Sequence, residues 1–222
     1  MAFLTGNALK ILAAVFMTAD HAGIMLFPRL TFLRIIGRLA FPIFAYMIAE
    51  GCRYTRNKKR YLGGILSLAV LCQAVYYVVD GSMYLSILFT FSLSILTIYA
   101  LQRYQAAPSA GNALLLAAVV CGVYLLNRQF TIDYGFFGCM APVLAALPQQ
   151  RDPRANRWRI ALFGAGLALL SLDLGGIQPY CLLSLPLLLL YNGKRGKANL
   201  KYFFYLFYPI HLAVLQGLAF LL

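Results

Sequence analysis

Long apolar stretches separated by short polar breaks run through the whole chain, at residues 7–27, 32–52, 61–79, 84–101, 111–126, 134–147, 159–172, 177–191 and 202–221. A helix that crosses a bilayer needs about 17–25 residues, and most of these stretches supply them. The pattern predicts an all-α, polytopic transmembrane bundle of about nine spans, forming one integral membrane domain over residues 1–222. The segments 134–147 and 159–172 are short for a full crossing, so one or both are expected to be re-entrant, tilted or broken. Pro142 falls inside the first, and Pro186 interrupts the segment 177–191. The longest polar breaks, 102–110 and 148–158, are only about ten residues long, and no period of 20–50 residues repeats. Any chemistry must therefore be done within the bundle or at its mouths.

Composition agrees with the pattern. The chain is 62% hydrophobic, and charged residues make up 11%, against the ~25% usual for soluble domains. Its 15 Tyr and 16 Phe are ample for aromatic belts at the two interfaces. The N-terminal apolar run resembles a signal peptide only weakly: no small-x-small cleavage site follows it, and it carries Asp20 and His21, so it reads as a retained first helix. Cys52, Cys72, Cys121, Cys139 and Cys181 lie in or beside apolar segments without metal-type spacing and are expected to be buried small hydrophobes.

A net charge of +13 would suggest nucleic acid for a soluble protein; here it reports topology. With a cytoplasmic N-terminus and nine crossings, 15 of the 19 basic residues fall inside: Lys10, the run Arg53–Arg60, Arg103, Arg151, Arg154, Arg157, Arg159, and Lys194 to Lys201. Arg29, Arg34, Arg38 and Arg128 stay outside, where Asp80, Asp133 and Asp173 also lie near helix ends. The expectation is N-terminus cytoplasmic and C-terminus extracytoplasmic, with the lipid bilayer as partner and no nucleic acid.

Against this background Asp20 and His21 stand out, because the chain has only six acidic residues and two histidines. A charged group near mid-bilayer costs about 2–3 kcal/mol or more, so it marks either function or a paired partner. Adjacent helical residues point about 100° apart and cannot face each other. His21 is thus a candidate general base facing a cavity, with Asp20 orienting it or pairing elsewhere. In the second span Arg34 and Arg38 share a face at i,i+4, and Arg38 could answer the charge of Asp20; Pro42 bends or opens that helix. The bland alternative is a structural ion network of Asp20, Arg38 and Glu50. The loop CRYTRNKKRY sits at the inner mouth. Its five cations serve as a topogenic signal or as a phosphate clamp for a coenzyme A thioester or an anionic headgroup. Such a clamp lies on the opposite membrane side from His21, so a donor held there must reach through the bundle with its pantetheine arm. Gln73 lies in the third span, Asp133 and Tyr134 open the sixth with Asp133 as a candidate cap, and Asp173 precedes a Gly175-Gly176 turn. His211 sits near mid-membrane in the last span, three residues after Tyr208. No nucleotide-binding glycine loop, HExxH, CxxC or G-x-S-x-G motif is present, and no metal site is expected.

The blocks ALKILAAVFMTADHAG, RIIGRLAFPIFAYMIAEG and RYTRNKKRYLGG resemble the TraX family of integral membrane proteins. The likeness continues through Tyr84–Thr90, IDYGFFG and KYFFYLFYPIHL in the same order. The resemblance implies an acetyltransferase-like activity of the kind associated with N-terminal acetylation of a conjugative pilin subunit, using acetyl-CoA. It also implies kinship with the large membrane acyltransferase superfamily, in which an early-helix histidine with an acidic neighbour serves acyl transfer, and a place in the bacterial inner membrane. Asp20 and His21 match the family's Asp-His motif. Arg38, Glu50, Arg53, Arg56, Asn57 and Arg60 match the second block and its loop, and Asp133 with Tyr134, and Pro209 with His211, match the later ones. The chain has no long extracytoplasmic loop and no conjugation-specific feature, so the acceptor need not be a pilin.

The resulting expectation is transfer of acetyl, or another acyl group, from its coenzyme A thioester to an amine or hydroxyl of an envelope-associated peptide, lipid or glycan. His21 would be the base, with Asp20 or Arg38 fixing its tautomer or local field. His211 and Tyr208 would donate to the thioester oxygen or bind the acceptor. Arg53, Arg56, Asn57, Lys59 and Arg60 would hold the coenzyme A phosphates, and Glu50, Gln73, Tyr134 and Tyr208 are the candidates for substrate binding. The competing expectation is a non-enzymatic carrier or accessory subunit with lipid-binding basic loops.

Overall fold

The computed structural model describes residues 2–148 and 155–221, and these are helical nearly throughout. The elements are α1 (Gly6–Met25), α2 (Thr31–Gly37), α3 (Ala40–Tyr54), α4 (Lys58–Asp80), α5 (Ile87–Ala106), α6 (Ala110–Gln129), α7 (Gly135–Ala146), α8 (Ala155–Leu174), a 3-10 helix (Gln178–Ser184), α9 (Leu185–Leu189) and α10 (Lys201–Leu221). Arg151 and Arg154 of the expected inner loop lie outside the described residues.

Six helices among the described residues are long and apolar enough to cross a membrane: Gly6–Met25, Thr31–Tyr54, Lys58–Val78, Ile87–Ala106, Ala110–Gln129 and Phe203–Leu221. The other three expected spans differ from them for visible reasons. α7 has 12 residues, about 18 Å at 1.5 Å per residue, against a hydrocarbon core of ~30 Å. α8 has 20 residues, but Arg157, Arg159 and Asp173 occupy its ends. The stretch 177–191 divides into a 3-10 turn and five α-helical residues, each with a proline in its first turn (Pro179 and Pro186), where the missing N–H costs no helical bond. Of the nine expected spans, six are both long and apolar enough for a full crossing among the described residues.

The second span is interrupted where Pro42 requires it. Pro42 lacks the N–H that would bond to the Arg38 carbonyl, and α2 ends at Gly37, two residues before α3 begins. Arg38 and Leu39 continue as tight turns, their N–H groups bonding to Ile35 and Ile36 at 3.2 and 3.1 Å. The break leaves Arg38 at a helix end.

The chain packs as two compact units, Met1–Met47 with Ser171–Leu222, and Ile48–Leu170. In the first, the N-terminal strand-like residues pair with the segment before α10: Leu4 bridges Tyr191, and the N–H groups of Gly6 and Asn7 donate to the carbonyls of Lys194 and Arg195 at 2.8 and 2.9 Å. These bonds satisfy donors that the first turn of α1 would otherwise leave open. Thr5 caps the same turn through the Ala8 N–H, and the Asn7 amide donates to the Ala198 carbonyl at 2.7 Å. The start of α10 is thereby tied to the start of α1, and the two helices pack together along their lengths.

In the second unit α5 is the centre, packed by α4, α6 and α7. Its polar residues are spent on helix junctions: the Ser94 hydroxyl donates to the Cys139 carbonyl at 2.8 Å and the Thr90 hydroxyl to the Asp133 carbonyl at 2.5 Å. Asp133 does not cap α7. Tyr134 holds the N-cap position in a left-handed conformation (φ 60°), and the Asp133 carboxylate accepts from the Tyr84 hydroxyl at 2.7 Å. Gly175 and Gly176, both at positive φ, form the turn expected after Asp173. Four cysteines are buried as expected, whereas Cys121 is exposed on α6, whose residues mostly face outward.

Candidate functional site

Asp20 is held by two arginines from one face of the broken second span. The Arg34 Nε donates to Oδ1 at 2.7 Å, and the Arg38 Nη2 donates to Oδ2. Arg38 also reaches the Gln178 Oε1 at 3.4 Å, tying the 3-10 helix to the cluster. The i,i+4 spacing of Arg34 and Arg38 makes both bonds possible from a single helical face. One carboxylate and two guanidinium groups leave the cluster with a net charge of +1, in a place where Asp20 is buried.

The approach of α2 to α1 that brings these groups together depends on glycine. A Cβ on Gly37 would overlap the Asp20 Cβ and backbone Cα. Gly23, one turn after Asp20, has the stem of Arg34 lying over it, with Cδ 3.2 Å from where its Cβ would be. Gly37→Ala is therefore expected to push α2 away from α1 and loosen both ion pairs. The cost should reach about 1–3 kcal/mol, read as a fall in the thermal unfolding midpoint of the detergent-solubilised protein. An unchanged midpoint would show that the helices do not meet at Gly37.

His21 does not use Asp20. Its Nδ1 lies 3.1 Å from the Nε2 of His211, and the Nδ1 of His211 lies 2.8 Å from the Phe207 carbonyl oxygen. A carbonyl only accepts, so the His211 Nδ1 carries a proton. In a neutral ring its Nε2 is then an acceptor. The shared bond must be donated by the Nδ1–H of His21, which leaves the His21 Nε2 as the unprotonated nitrogen. The two rings differ in access as well. His211 is 7% exposed, stacked on Phe207 with centroids 4.8 Å apart and edge-on to Tyr208 at 5.8 Å, while His21 keeps part of its surface open.

Of the residues singled out from sequence, His21, Asp20, Arg38, His211 and Tyr208 all fall in the first unit, and Glu50, Arg53, Arg56, Asn57, Lys59, Arg60, Gln73 and Tyr134 in the second. Within the second unit Glu50 is buried between Arg159 at 2.5 Å and Arg53 at 3.6 Å. Asn57 caps α4 through the Arg60 N–H at 2.8 Å, and Arg56, Lys59 and Arg60 are exposed. The Gln73 amide donates to the Ser82 carbonyl at 2.9 Å, in the loop that follows α4. Sequence reasoning missed Gln178, Phe207 and Arg159. Only the last left a signal: a buried-span Glu50 needs a cation, and Arg159 opens an apolar segment. Among the described residues no three His, Cys, Asp or Glu side chains converge as metal ligands.

Fold and site together define a polytopic helical membrane protein with an arginine-clamped aspartate and a histidine pair between its first and last helices. The chain belongs to the TraX protein family, which it matches over residues 5–219. It is 28% identical to the probable fimbrial assembly protein FimC, serogroup H1, of Dichelobacter nodosus, over 93% of this chain and 92% of that protein. It is also 52% identical, over 40 residues, to an uncharacterised protein of Rickettsia prowazekii, a stretch covering 18% of this chain and 16% of that one. No solved structure matches it.

Proposed function

We propose that the chain is a membrane-embedded acyltransferase that moves an acetyl group from acetyl-CoA to an amine or hydroxyl of an envelope-associated acceptor. The observation that supports this reading is the His21–His211 pair, whose hydrogen bonds suit a neutral His21 with its Nε2 unprotonated, in a chain of the TraX family. The His21 Nε2 takes the proton from the acceptor N–H or O–H as that atom attacks the thioester carbonyl. The C–S bond breaks, the acyl group passes to the acceptor, and the coenzyme A thiolate leaves with the proton returned by the imidazolium. His211 takes the orienting role otherwise suited to Asp20: its Nε2 accepts from the imidazolium's Nδ1–H, and the Phe207 carbonyl backs it. The cluster of Asp20, Arg34 and Arg38, with its net positive charge, favours the negative charge that develops on the carbonyl oxygen. Tyr208 and Tyr134 are candidates to bind the acceptor, as are Glu50 and Gln73, and Arg53, Arg56, Asn57, Lys59 and Arg60 to steer the donor's phosphates. On the positive-inside assignment the donor arrives from the cytoplasm. The Dichelobacter relative is named as a probable fimbrial assembly protein, and a peptide of a fimbrial subunit is the first acceptor to test.

The competing reading, a non-enzymatic membrane subunit, is favoured by the double clamp on Asp20, which is what a structural ion network looks like. Calorimetric titration of the purified protein in neutral detergent separates the two. Acetyl-CoA is expected to bind saturably and to be displaced by coenzyme A, with heparin of equal charge at least tenfold weaker. Equal affinity for both polyanions would leave only lipid-binding basic loops.

A further inference from the structure

The second unit holds a cation-lined cavity that shares no residue with the His21–His211 pair. It has a volume of about 290 Å³ and is lined by Arg53, Thr55, Lys58, Gln102, Gln105 and Arg159, with apolar residues filling the gaps. These side chains come from the end of α3, the start of α4, the end of α5 and the start of α8. Three of them carry positive charge, and the Glu50 carboxylate meets two of these, Arg159 and Arg53. Arg159 is 4% exposed and is held in place, its Nε donating to the Ala145 carbonyl at 3.0 Å and its Nη2 to Glu50. Lys58 is positioned differently, its ammonium 5.1 Å above the centre of the Tyr99 ring. The two glutamines are fixed by their own bonds, Gln102 to the Cys52 carbonyl at 3.2 Å and Gln105 to the Leu147 carbonyl at 2.8 Å.

The three cations surround a partly enclosed space, Arg159 buried on its inner side and Lys58 open to solvent on its outer side. The cavity is roughly ten times the ~30 Å³ share of one water, yet at the lower edge of the ~300–1,000 Å³ of drug-sized ligand sites. Arginine forks and a lysine point charge are the donors that phosphate oxygens take, and the first turn of α4, which begins at Lys58, adds its N-terminal dipole. We infer that this cavity is a binding site for the phosphate or pyrophosphate group of a phosphorylated ligand, with the rest of that ligand outside it. The residues that carry the site are Lys58, Arg53 and Arg159, whose side chains line the cavity; Arg56, Lys59 and Arg60 are not part of its lining.

The ligand's source is either a soluble cofactor or a lipid headgroup, and one experiment covers both. Inorganic pyrophosphate is titrated calorimetrically into the full chain in neutral detergent, and coenzyme A and dihexanoyl phosphatidic acid are used as competitors. Saturable pyrophosphate binding is expected. It should weaken about tenfold or more in Lys58→Gln, recover in Lys58→Arg, and change less than threefold in the double variant Lys194→Gln, Lys197→Gln, at two exposed cations far along the chain. Lys58 is exposed and leaves the Glu50–Arg159 pair untouched, so Lys58→Gln is expected to fold, and its melting temperature verifies this. Displacement by coenzyme A assigns a soluble cofactor, and displacement by the phosphatidic acid assigns a lipid. No saturable binding, or a loss in the double variant with none in Lys58→Gln, overturns the site. The inference stands independently of acyl transfer: pyrophosphate bound by a chain that transfers no acyl group leaves it intact.

Discussion

His21→Ala is expected to lower acyl transfer from acetyl-CoA about 10²–10⁴-fold, the range that general acid–base catalysis contributes, while the protein still folds. The asymmetry follows from the geometry. His21 is partly open and its side chain bonds to His211 at 3.1 Å and to the Met17 backbone, so removing it takes away the proposed base and leaves one imidazole acceptor unpartnered. That costs about 1–3 kcal/mol at most, well below a typical stability of about 5–15 kcal/mol. His211→Ala acts less directly. It removes the acceptor that fixes the His21 tautomer, so the rate should fall by less than in His21→Ala, and His211→Gln should restore part of it by accepting from the same Nδ1–H. Rates are read as release of coenzyme A thiol at saturating acetyl-CoA. Equal rates for folded His21→Ala and the unaltered protein would remove the proposed base.

The second large effect is on stability. Asp20→Ala leaves Arg34 and Arg38 side by side in an apolar setting with no carboxylate between them. Removing one partner of a buried ion cluster costs about 3–5 kcal/mol, because the remaining charge stays desolvated. For a chain of this size that corresponds to a midpoint lowered by about 6–20 °C, measured by thermal unfolding in detergent. Asp20→Asn keeps the shape and an acceptor but loses the charge, and should fall between the two. The ordering separates the roles of neighbouring residues: Asp20 variants lose the fold first, and His21 variants lose the chemistry first. A stable Asp20→Ala protein would mean that the arginines find other partners and that Asp20 is not the clamp.

Several of these features were legible in the sequence, and the reason lies in their spacing. Arg34 and Arg38 at i,i+4 announced a shared face, an intramembrane Asp20 required a cation, and Pro42 required a break near Arg38; all three appear in the structure. What spacing within one helix cannot carry is the partner on another. His21 and His211 are 190 residues apart, and nothing in either segment says that α10 packs against α1; the bonds between residues 4–7 and 190–198 bring that about. Arg159 and Glu50 pose the same problem across 109 positions. Gly37 and Gly23 read as ordinary small residues in apolar helices until the structure shows what their missing Cβ atoms make room for. Hydropathy also records apolar length without conformation. It merges the 3-10 helix at Gln178–Ser184 with α9 and gives the 12-residue α7 the weight of a span.

The most direct test of the account is acyl transfer by the unaltered chain. Purified protein in lipid nanodiscs is incubated with isotope-labelled acetyl-CoA and an amine-terminated hydrophobic peptide or an inner-membrane extract, and free coenzyme A thiol and labelled acceptor are counted together. The account predicts one thiol released for each acyl group transferred, with both lost in folded His21→Ala. A folded protein that neither releases thiol nor labels any acceptor would contradict it, as would labelling that continues undiminished without His21.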